Sequence, residues 1–203
     1  THDFLAQHSV PHVLAWCFPK SPGHHAVGFD NQKSGRAIAE HVISYGHRKL
    51  GVIAGLRDGN DRAQDRVLGI QDAINAHPNI QLLGLQECKY SFEEAGSALD
   101  ELLLGPVHPT AIICGSDVLA VGAMLRARDL GLQIPEDISI TGFDDINLAR
   151  VTTPGLTTVR VPQHDMGRKA AHVLLGLLDA DAPQPQSYEL MTTIIDRGTL
   201  ARV

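Results

Sequence analysis

Several features that often reveal a protein's class are scarce in this chain of 203 residues. Aromatic residues make up only 4% of it, and no apolar run approaches the roughly 20 residues that a membrane-spanning helix needs. Lysine and arginine number 17 against 23 acidic residues, and the net charge is −6. Because a DNA-binding surface would require an excess of basic residues, we do not expect this segment itself to bind nucleic acid.

Cysteine is also scarce. Cys17, Cys88 and Cys114 are widely spaced, and each lies within or beside an apolar run. Their odd number and the absence of a Cys-x-x-Cys motif favour buried free thiols in a cytoplasmic protein over a disulfide framework. Histidine is plentiful, but the adjacent His24 and His25 would point to opposite faces of a strand. We therefore expect no metal site and no resident cofactor.

Motifs of the common α/β enzymes are missing as well. The chain has no Gly-x-Gly-x-x-Gly fingerprint, no phosphate-binding P-loop and no Gly-x-Ser-x-Gly elbow. The glycines at positions 51 and 55 merely flank an apolar strand. These absences favour a binding protein over an enzyme, and we expect no catalytic residues.

Short apolar strands alternate with amphipathic helices along the chain. The helix predicted over 34–45 places Ile38 and Val42 on one face and is ended by Gly46. The segment 111–114 is continuously apolar, as is typical of a parallel strand that is buried on both faces. This alternation predicts an α/β fold with parallel sheets and helices on both faces of each sheet.

The segment 134–162 is the most informative part of the chain. Its predicted strand, 138–143, alternates β-branched and small residues and is followed at once by Asp144 and Asp145. Ligands of open parallel sheets bind beyond the carboxyl ends of the strands. This carboxylate pair could therefore accept hydrogen bonds from ligand hydroxyls or amines. Alternatively, Asp145 caps a short helical turn that begins at Ile146.

The same segment resembles the lac-repressor (LacI/GalR-type) family of bacterial transcription regulators. It carries Ile-Pro-Glu-Asp-Ile-Ser-Ile-Thr-Gly-Phe-Asp-Asp at 134–145 and Pro-Gly-Leu-Thr-Thr-Val at 154–159. Asp-Asn at 30–31, Gly-His-Arg at 46–48 and Ser-Asp-Val-Leu-Ala-Val-Gly at 116–122 are similar to further patterns of the family. Together these segments extend over nearly the whole chain.

The resemblance implies a type I periplasmic-binding-protein-like fold, with two Rossmann-like lobes and three crossings of the chain between them. We predict a first, incomplete lobe from residues 1–56 and 163–190, and a second lobe from residues 57–162 and 191–203. A Pro- and Asp-rich turn is expected at 179–186. The helix-turn-helix head of the family, which would bind operator DNA, has no counterpart in this chain.

The function implied by the resemblance is the effector-sensing core of a cytoplasmic transcription repressor. A small molecule, a sugar or a related metabolite, would bind between the lobes and control DNA binding through its differential affinity for two lobe arrangements. The alternative is a solute-binding protein of a sugar transporter, which shares the fold. A secretion leader would favour that alternative, and none opens this sequence. An enzyme on a Rossmann-like sheet is the third possibility.

The resemblance also suggests effector-binding residues. Arg66 matches a family arginine, and its guanidinium could form bidentate hydrogen bonds to vicinal hydroxyls or a carboxylate, although a solvated helix charge is the alternative. Ser116 stands where well-known members have asparagine. The serine hydroxyl has a shorter reach and one donor fewer than an asparagine amide. Either Tyr90 or Phe92 could supply the aromatic ring that family members place over the ligand. The candidates are Arg66, Asp144, Ser116, Tyr90, Phe92 and Asp30.

The helix that begins at Asp117 carries apolar residues on more than one side. If one side packs on the sheet, the other requires a partner. We therefore predict a twofold-symmetric homodimer through the second lobe. The predicted interface residues are Val118, Leu119, Val121, Gly122 and Leu125.

Overall fold

The structure is a computed structural model that describes residues 2–8, 10–19, 23–178 and 186–203. Its elements in chain order are α1 (His2–Gln7), β1 (Leu14–Ala15), β2 (Ala26–Gly28), α2 (Asn31–Ser44), β3 (Lys49–Gly55), α3 (Asp61–Asn75), β4 (Gln81–Cys88), α4 (Phe92–Leu102), β5 (Ala111–Cys114), α5 (Asp117–Asp129), β6 (Ser139–Asp144), α6 (Asn147–Val151), β7 (Thr157–Arg160), α7 (Gln163–Gly176), β8 (Ser187–Glu189) and β9 (Thr193–Ile195). The predicted α/β class with parallel strands is thereby confirmed. Apart from Gln186, the turn expected at 179–186 lies outside the described residues. None of the helices in the described part is both long and apolar enough to cross a membrane.

The first of two compact units comprises Thr1–Asp30 and Pro162–Thr192. Its three-stranded sheet has the order β1–β2–β8, and both pairings are parallel. Helix α7 packs against β1 and β2. Because Ala26, Val27 and Gly28 of the central strand β2 are all buried, the core of this unit is built around that strand.

The second unit comprises Asn31–Val161 and Thr193–Val203. Its six-stranded sheet has the order β4–β3–β5–β6–β7–β9, in which only β9 is antiparallel to its neighbour. Helices α4 and α5 pack together over one face of the sheet, in a core that includes Ile112 and Ile140. Helix α2 packs against α3, and Phe143 of β6 contacts α3. The sheet is therefore covered on both faces, as its continuously apolar strands predict.

The structure divides the chain at Asp30 and Asn31, and the boundary predicted at residue 56 is wrong. Strand β3 pairs with β4 on one side and β5 on the other, and α2 packs against α3. Residues 31–56 therefore belong to the second unit. The apolar pattern of β3 indicates a buried strand, but it carries no information about which sheet the strand joins, because pairing depends on partners distant in sequence.

The C-terminal segment is attached to the turn between α2 and β3. His47 in that turn is 1% exposed. Its Nδ1 lies 2.9 Å from Thr110 Oγ1, and its Nε2 lies 3.1 Å from the carbonyl oxygen of Ala201. The amide of Val203 donates to the carbonyl oxygen of Tyr45 at 3.0 Å. Burial lowers the pKa of His47 below its ordinary value, so the imidazole is neutral at physiological pH.

We expect His47 to make the folded protein less stable in mild acid. A histidine whose pKa is lowered by folding contributes stability above its ordinary pKa of about 6.5, and this contribution is lost as the pH falls through the folded-state pKa. Urea unfolding at several pH values should show that His47→Gln is less stable than the wild type near pH 7.5 but loses less stability on acidification. His108→Gln removes an exposed histidine of the same unit and should behave as the wild type. Identical acid dependence in His47→Gln and the wild type would contradict this expectation.

Candidate functional site

Arg66 lies buried at the carboxyl edge of the second sheet. Its Nε donates to Asn31 Oδ1 at 2.9 Å, and its Nη1 donates to the carbonyl oxygen of Gly115 at 2.7 Å. Its Nη2 lies 3.6 Å from Asp144 Oδ1. The guanidinium carbon lies 3.9 Å from the centroid of the Phe143 ring, a cation–π contact. The structure therefore contradicts the alternative that Arg66 is a solvated helix charge.

The position of Arg66 depends on a close approach between two helices. A Cβ atom on Gly35 of α2 would lie only 2.3 Å from the carbonyl oxygen of Arg66 in α3, so this contact requires glycine. Burial lowers the pKa of Arg66, but a guanidinium remains protonated in proteins. The result is a permanent cation with a fixed orientation beside Asp144.

Asp144 and Asp145 form a strained turn at the end of β6. Their φ angles are +113° and +53°, in the left-handed region that side-chain-bearing residues rarely adopt. Each such residue costs about 1–3 kcal/mol and persists only where its surroundings hold it. The Asp145 carboxylate accepts hydrogen bonds from Arg160 Nε at 2.6 Å and from Arg197 Nη2, and Arg150 Nη2 lies 3.5 Å away. Arg160 and Arg197 therefore hold the turn that carries Asp144.

Asp145 does not cap the short helix α6, contrary to the alternative considered from the sequence. The N-cap residue of α6 is Ile146, and no side chain caps it. Burial works to raise the pKa of Asp145, but the hydrogen bonds and charges of Arg197 and Arg160 outweigh it, and the pKa is lowered. Asp145 is therefore ionised at neutral pH and serves as the anionic centre of an arginine cluster.

A second buried carboxylate lies behind this turn. Asp117, the first residue of α5, accepts a hydrogen bond from the Thr158 hydroxyl at 2.5 Å and one from the Ile146 amide at 2.8 Å. Burial raises the pKa of Asp117 to about 7 despite these bonds. Burial also raises the pKa of Asp144 to about 6, against the opposing effect of Arg66. Burial thus raises the pKa of two carboxyl groups of the site, Asp117 and Asp144, towards neutral pH.

Ser116 and Tyr90 lie at the same sheet edge as Arg66. Ser116 is the buried N-cap residue of α5, and its hydroxyl accepts from the Leu119 amide at 3.3 Å. The ring of Tyr90 lies so close to Gly55, at the end of β3, that a Cβ atom there would be 2.3 Å from the Tyr90 hydroxyl. Tyr90 and Arg66 line one small cavity together with Gly55. The structure thus brings Ser116, Asp144, Tyr90 and Arg66 to one region.

Phe92 does not lie beside Arg66. It lines an apolar groove of about 540 Å³ that is formed mainly by α5, α6 and the segment after α6. Tyr90 and Phe92 are only two residues apart, but α4 begins at Phe92 and turns its ring to a different side. The structure therefore selects Tyr90 as the aromatic neighbour of the candidate site. Residues that line the groove include Phe92, Val121, Met124, Leu125, Leu148 and Val151.

Three of the predicted dimer-interface residues are buried: Leu119, Gly122 and Val121, of which Val121 also lines the apolar groove. Leu119 is fully buried, and a Cβ on Gly122 would lie 2.6 Å from the backbone of α4, so both residues face inward. Their assignment to a surface is wrong, because α5 is covered by α4 and the sheet on those sides. Val121 and Leu125 line the apolar groove, and Val118 is half-buried.

The last candidate from the sequence is Asp30. It follows β2 and belongs to the first unit, whereas the other candidates belong to the second. Cys88 and Cys114 are buried free thiols, and burial raises the pKa of both, that of Cys88 to about 11. Neither thiol therefore forms a reactive thiolate at neutral pH. In the described ranges of the chain, no group of three or more His, Cys, Asp or Glu side chains could hold a metal ion.

Sequence reasoning missed three residues that the site uses. Asn31 accepts from Arg66, while Arg160 and Arg197 hold Asp145. Asn31 belongs to the Asp-Asn pattern at 30–31, which could have marked it as more than a helix start. Nothing in the local sequence links the two arginines to Asp145, since these contacts form only when β7 and the C-terminal segment lie beside β6.

Known proteins resemble this chain over most of its length. The periplasmic binding protein-like domain family matches residues 39–200. The HTH-type transcriptional repressor PurR of Shigella sonnei is 32% identical over 190 residues, which is 93% of this chain and 55% of PurR. A putative LacI transcriptional regulator from Bacillus cereus has a TM-score of 0.90 at 26% identity, covering 98% of this chain and 71% of that chain. The CelR–cellobiose complex has a TM-score of 0.88 at 26% identity, covering 98% and 61%.

These similarities agree with the fold and with the segments that carry the resemblance. The chain spans about half the length of the curated relatives it matches, at 55% of each. The chain belongs to the periplasmic binding protein-like domain family and corresponds to the effector-binding core of lac-repressor-type transcription regulators.

Proposed function

We propose that this chain senses a sugar or a chemically similar polyhydroxylated metabolite for a cytoplasmic transcription repressor. In this proposal a helix-turn-helix domain outside these residues binds operator DNA, and the present chain controls it. The observation that carries the proposal is the pair formed by the buried Arg66 and the partly buried Asp144 at the carboxyl edge of the second sheet. Parallel α/β sheets bind their ligands at this edge.

The chemistry of the pair suits an uncharged ligand with several hydroxyl groups. Asp144 can accept hydrogen bonds from hydroxyls, and the N–H groups of Arg66 that do not bind Asn31 or Gly115 can donate to hydroxyl oxygens. Because the two charges compensate each other, a ligand need not bring a net charge. The half-exposed Tyr90 ring could cover an apolar face of a sugar. The cellobiose complex of the structural relative CelR supports this ligand class.

We further propose that the second unit forms a homodimer in which a second copy of the chain covers the apolar groove beside α5. Val151 is 73% exposed and Leu125 is 38% exposed at this groove, and contiguous apolar surfaces of this kind mark interaction sites. Arg128 at the groove is its main charged residue. A twofold contact would bring the same residues of each protomer together.

The ligand proposal can be tested by thermal shift with a panel of monosaccharides and disaccharides that includes cellobiose. A ligand at about a hundred times its dissociation constant adds about 2.7 kcal/mol, which raises the Tm of a domain of this size by roughly 5–10 °C. Asp144→Asn should lose the shift. Asp100→Asn, which removes a surface ion pair with Arg126, should retain it. A full shift in Asp144→Asn, or no shift with any sugar, would overturn the proposal.

A further inference from the structure

The chain passes between its two units at three points. Next to each point, a residue of the candidate site contacts the segment that belongs to the second unit. The transitions lie at Asp30/Asn31, Val161/Pro162 and Thr192/Thr193. Asn31, the first residue after the first transition, accepts the hydrogen bond from Arg66 Nε at 2.9 Å. One site residue is therefore joined directly to a residue at a transition.

The turn at Asp144 and Asp145 is joined to the other two transitions. The amide of Val161, the last residue before the second transition, donates to the carbonyl oxygen of Asp144 at 3.4 Å. Arg160, directly before Val161, donates to Asp145 Oδ2 at 2.6 Å. Arg197, two residues after β9, donates to Asp145 Oδ1. Since β9 is the first element after the third transition, one carboxylate binds both neighbouring segments.

The geometry of Asp145 makes it the centre of this arrangement. Its side chain is 1% exposed, and its backbone, like that of Asp144, is left-handed. Such a conformation is retained only where the surroundings determine it. Two arginines from different segments provide that constraint, and charge-assisted hydrogen bonds of this kind are the stronger ones.

We propose that Asp145 is a positioning residue whose ion pairs with Arg160 and Arg197 fix the turn that presents Asp144 and couple this turn to the two segments that lead to the first unit. The proposal rests on the proposed function in taking Asp144 as the ligand-binding carboxylate. Any ligand that engages Asp144 then acts on the same turn that holds both segments. This arrangement is a direct structural route for linkage between the site and the transitions.

The test is hydrogen–deuterium exchange of the whole chain without ligand, so that it does not depend on the identity of the effector. Asp145→Asn removes the charge, while asparagine tolerates the left-handed conformation. We expect exchange about tenfold faster in peptides that cover 144–147, 160–163 and 193–197. Peptides from β3 and α3 should exchange as in the wild type.

Two matched controls distinguish this role from general stabilisation. Arg150→Gln removes only the weak contact to Asp145 at 3.5 Å, and Asp100→Asn removes an ion pair elsewhere in the unit; neither should change exchange at the three regions. If Asp145→Asn increased the exchange rate uniformly over the whole unit, Asp145 would only stabilise the fold, and the proposal would be overturned. Unchanged exchange at the three regions would overturn it as well.

Coupling is measured by a double-mutant cycle with Asp144→Asn, again without ligand. In the wild-type background, Asp144→Asn should accelerate exchange at 160–163 and 193–197. In the Asp145→Asn background it should add little, because the connection is already lost. Additive effects of the two substitutions on the exchange rates would overturn the proposed coupling. Failure of the sugar panel would count against the proposed function and leave these exchange results to decide the role of Asp145.

Discussion

Replacing Arg66 with alanine is expected to abolish effector binding and to lower the free energy of unfolding by about 3–5 kcal/mol at pH 8. The substitution removes the donors of the hydrogen bonds to Asn31 and Gly115. It also leaves the partly buried Asp144 without its counter-charge. A buried polar group without a partner pays its full desolvation cost. Urea unfolding and sugar-dependent thermal shift measure the two effects.

The pH dependence of the loss of stability in Arg66→Ala is a sharper test than the size of that loss. The pKa of Asp144 is already raised to about 6, and loss of the neighbouring cation should raise it further. A carboxyl whose pKa is raised by folding stabilises the protein below its ordinary pKa and loses this contribution as the pH rises through the folded-state pKa. The stability difference between wild type and Arg66→Ala should therefore widen from pH 5 to pH 8.

Arg62→Ala is the matched control, because Arg62 lies one turn earlier on α3 and pairs only loosely with Asp61 at 3.6 Å. It should change stability by no more than about 0.5 kcal/mol. If Arg66→Ala does not fold, Arg66→Lys keeps the charge without the fork and should fold but bind the effector more weakly. Unaltered effector affinity in Arg66→Lys would contradict the assigned role.

The second large effect is expected at the apolar groove. Leu125→Glu should raise the dissociation constant of the homodimer by about a thousandfold, since burying an unpaired charge costs several kcal/mol. Leu125 lines the groove beside Val121 and Val151. Sedimentation at tens of micromolar should show a wild-type dimer and a Leu125→Glu monomer with the same folded spectrum.

A control for surface charge alone is Leu104→Glu. Leu104 is 75% exposed and does not line the groove, so this variant should remain dimeric. A wild-type chain that is monomeric at these concentrations would refute the proposed dimer. So would a Leu125→Glu variant that is still dimeric.

The sequence by itself determined the α/β class and the family. Strand β5 is apolar at every position, and β6 is bounded by turn residues, so local patterns were sufficient to identify both as buried strands. Carboxylates also stand at the end of β6, and parallel strands place their carboxyl ends at one edge of the sheet. The proximity of Asp144 and Arg66 followed from this rule together with the family resemblance.

Only the tertiary structure decided which segments are neighbours. Periodicity indicates that β3 is buried but not that it lies between β4 and β5, and the predicted boundary at residue 56 was wrong for this reason. In the same way, the apolar pattern of α5 does not reveal that Leu119 and Gly122 face the core whereas Leu125 faces the groove. Helix faces are determined by what packs on them.

The same limit applies to the ion pairs of the site. Asp145 contacts Arg160 and Arg197 because β7 lies beside β6 and the C-terminal segment returns next to β7. These contacts join residues that are far apart in sequence, and no local propensity specifies them. Chemistry at a strand end can therefore be inferred from residue types, whereas the partners that orient a carboxylate are determined by the order of strands in the sheet.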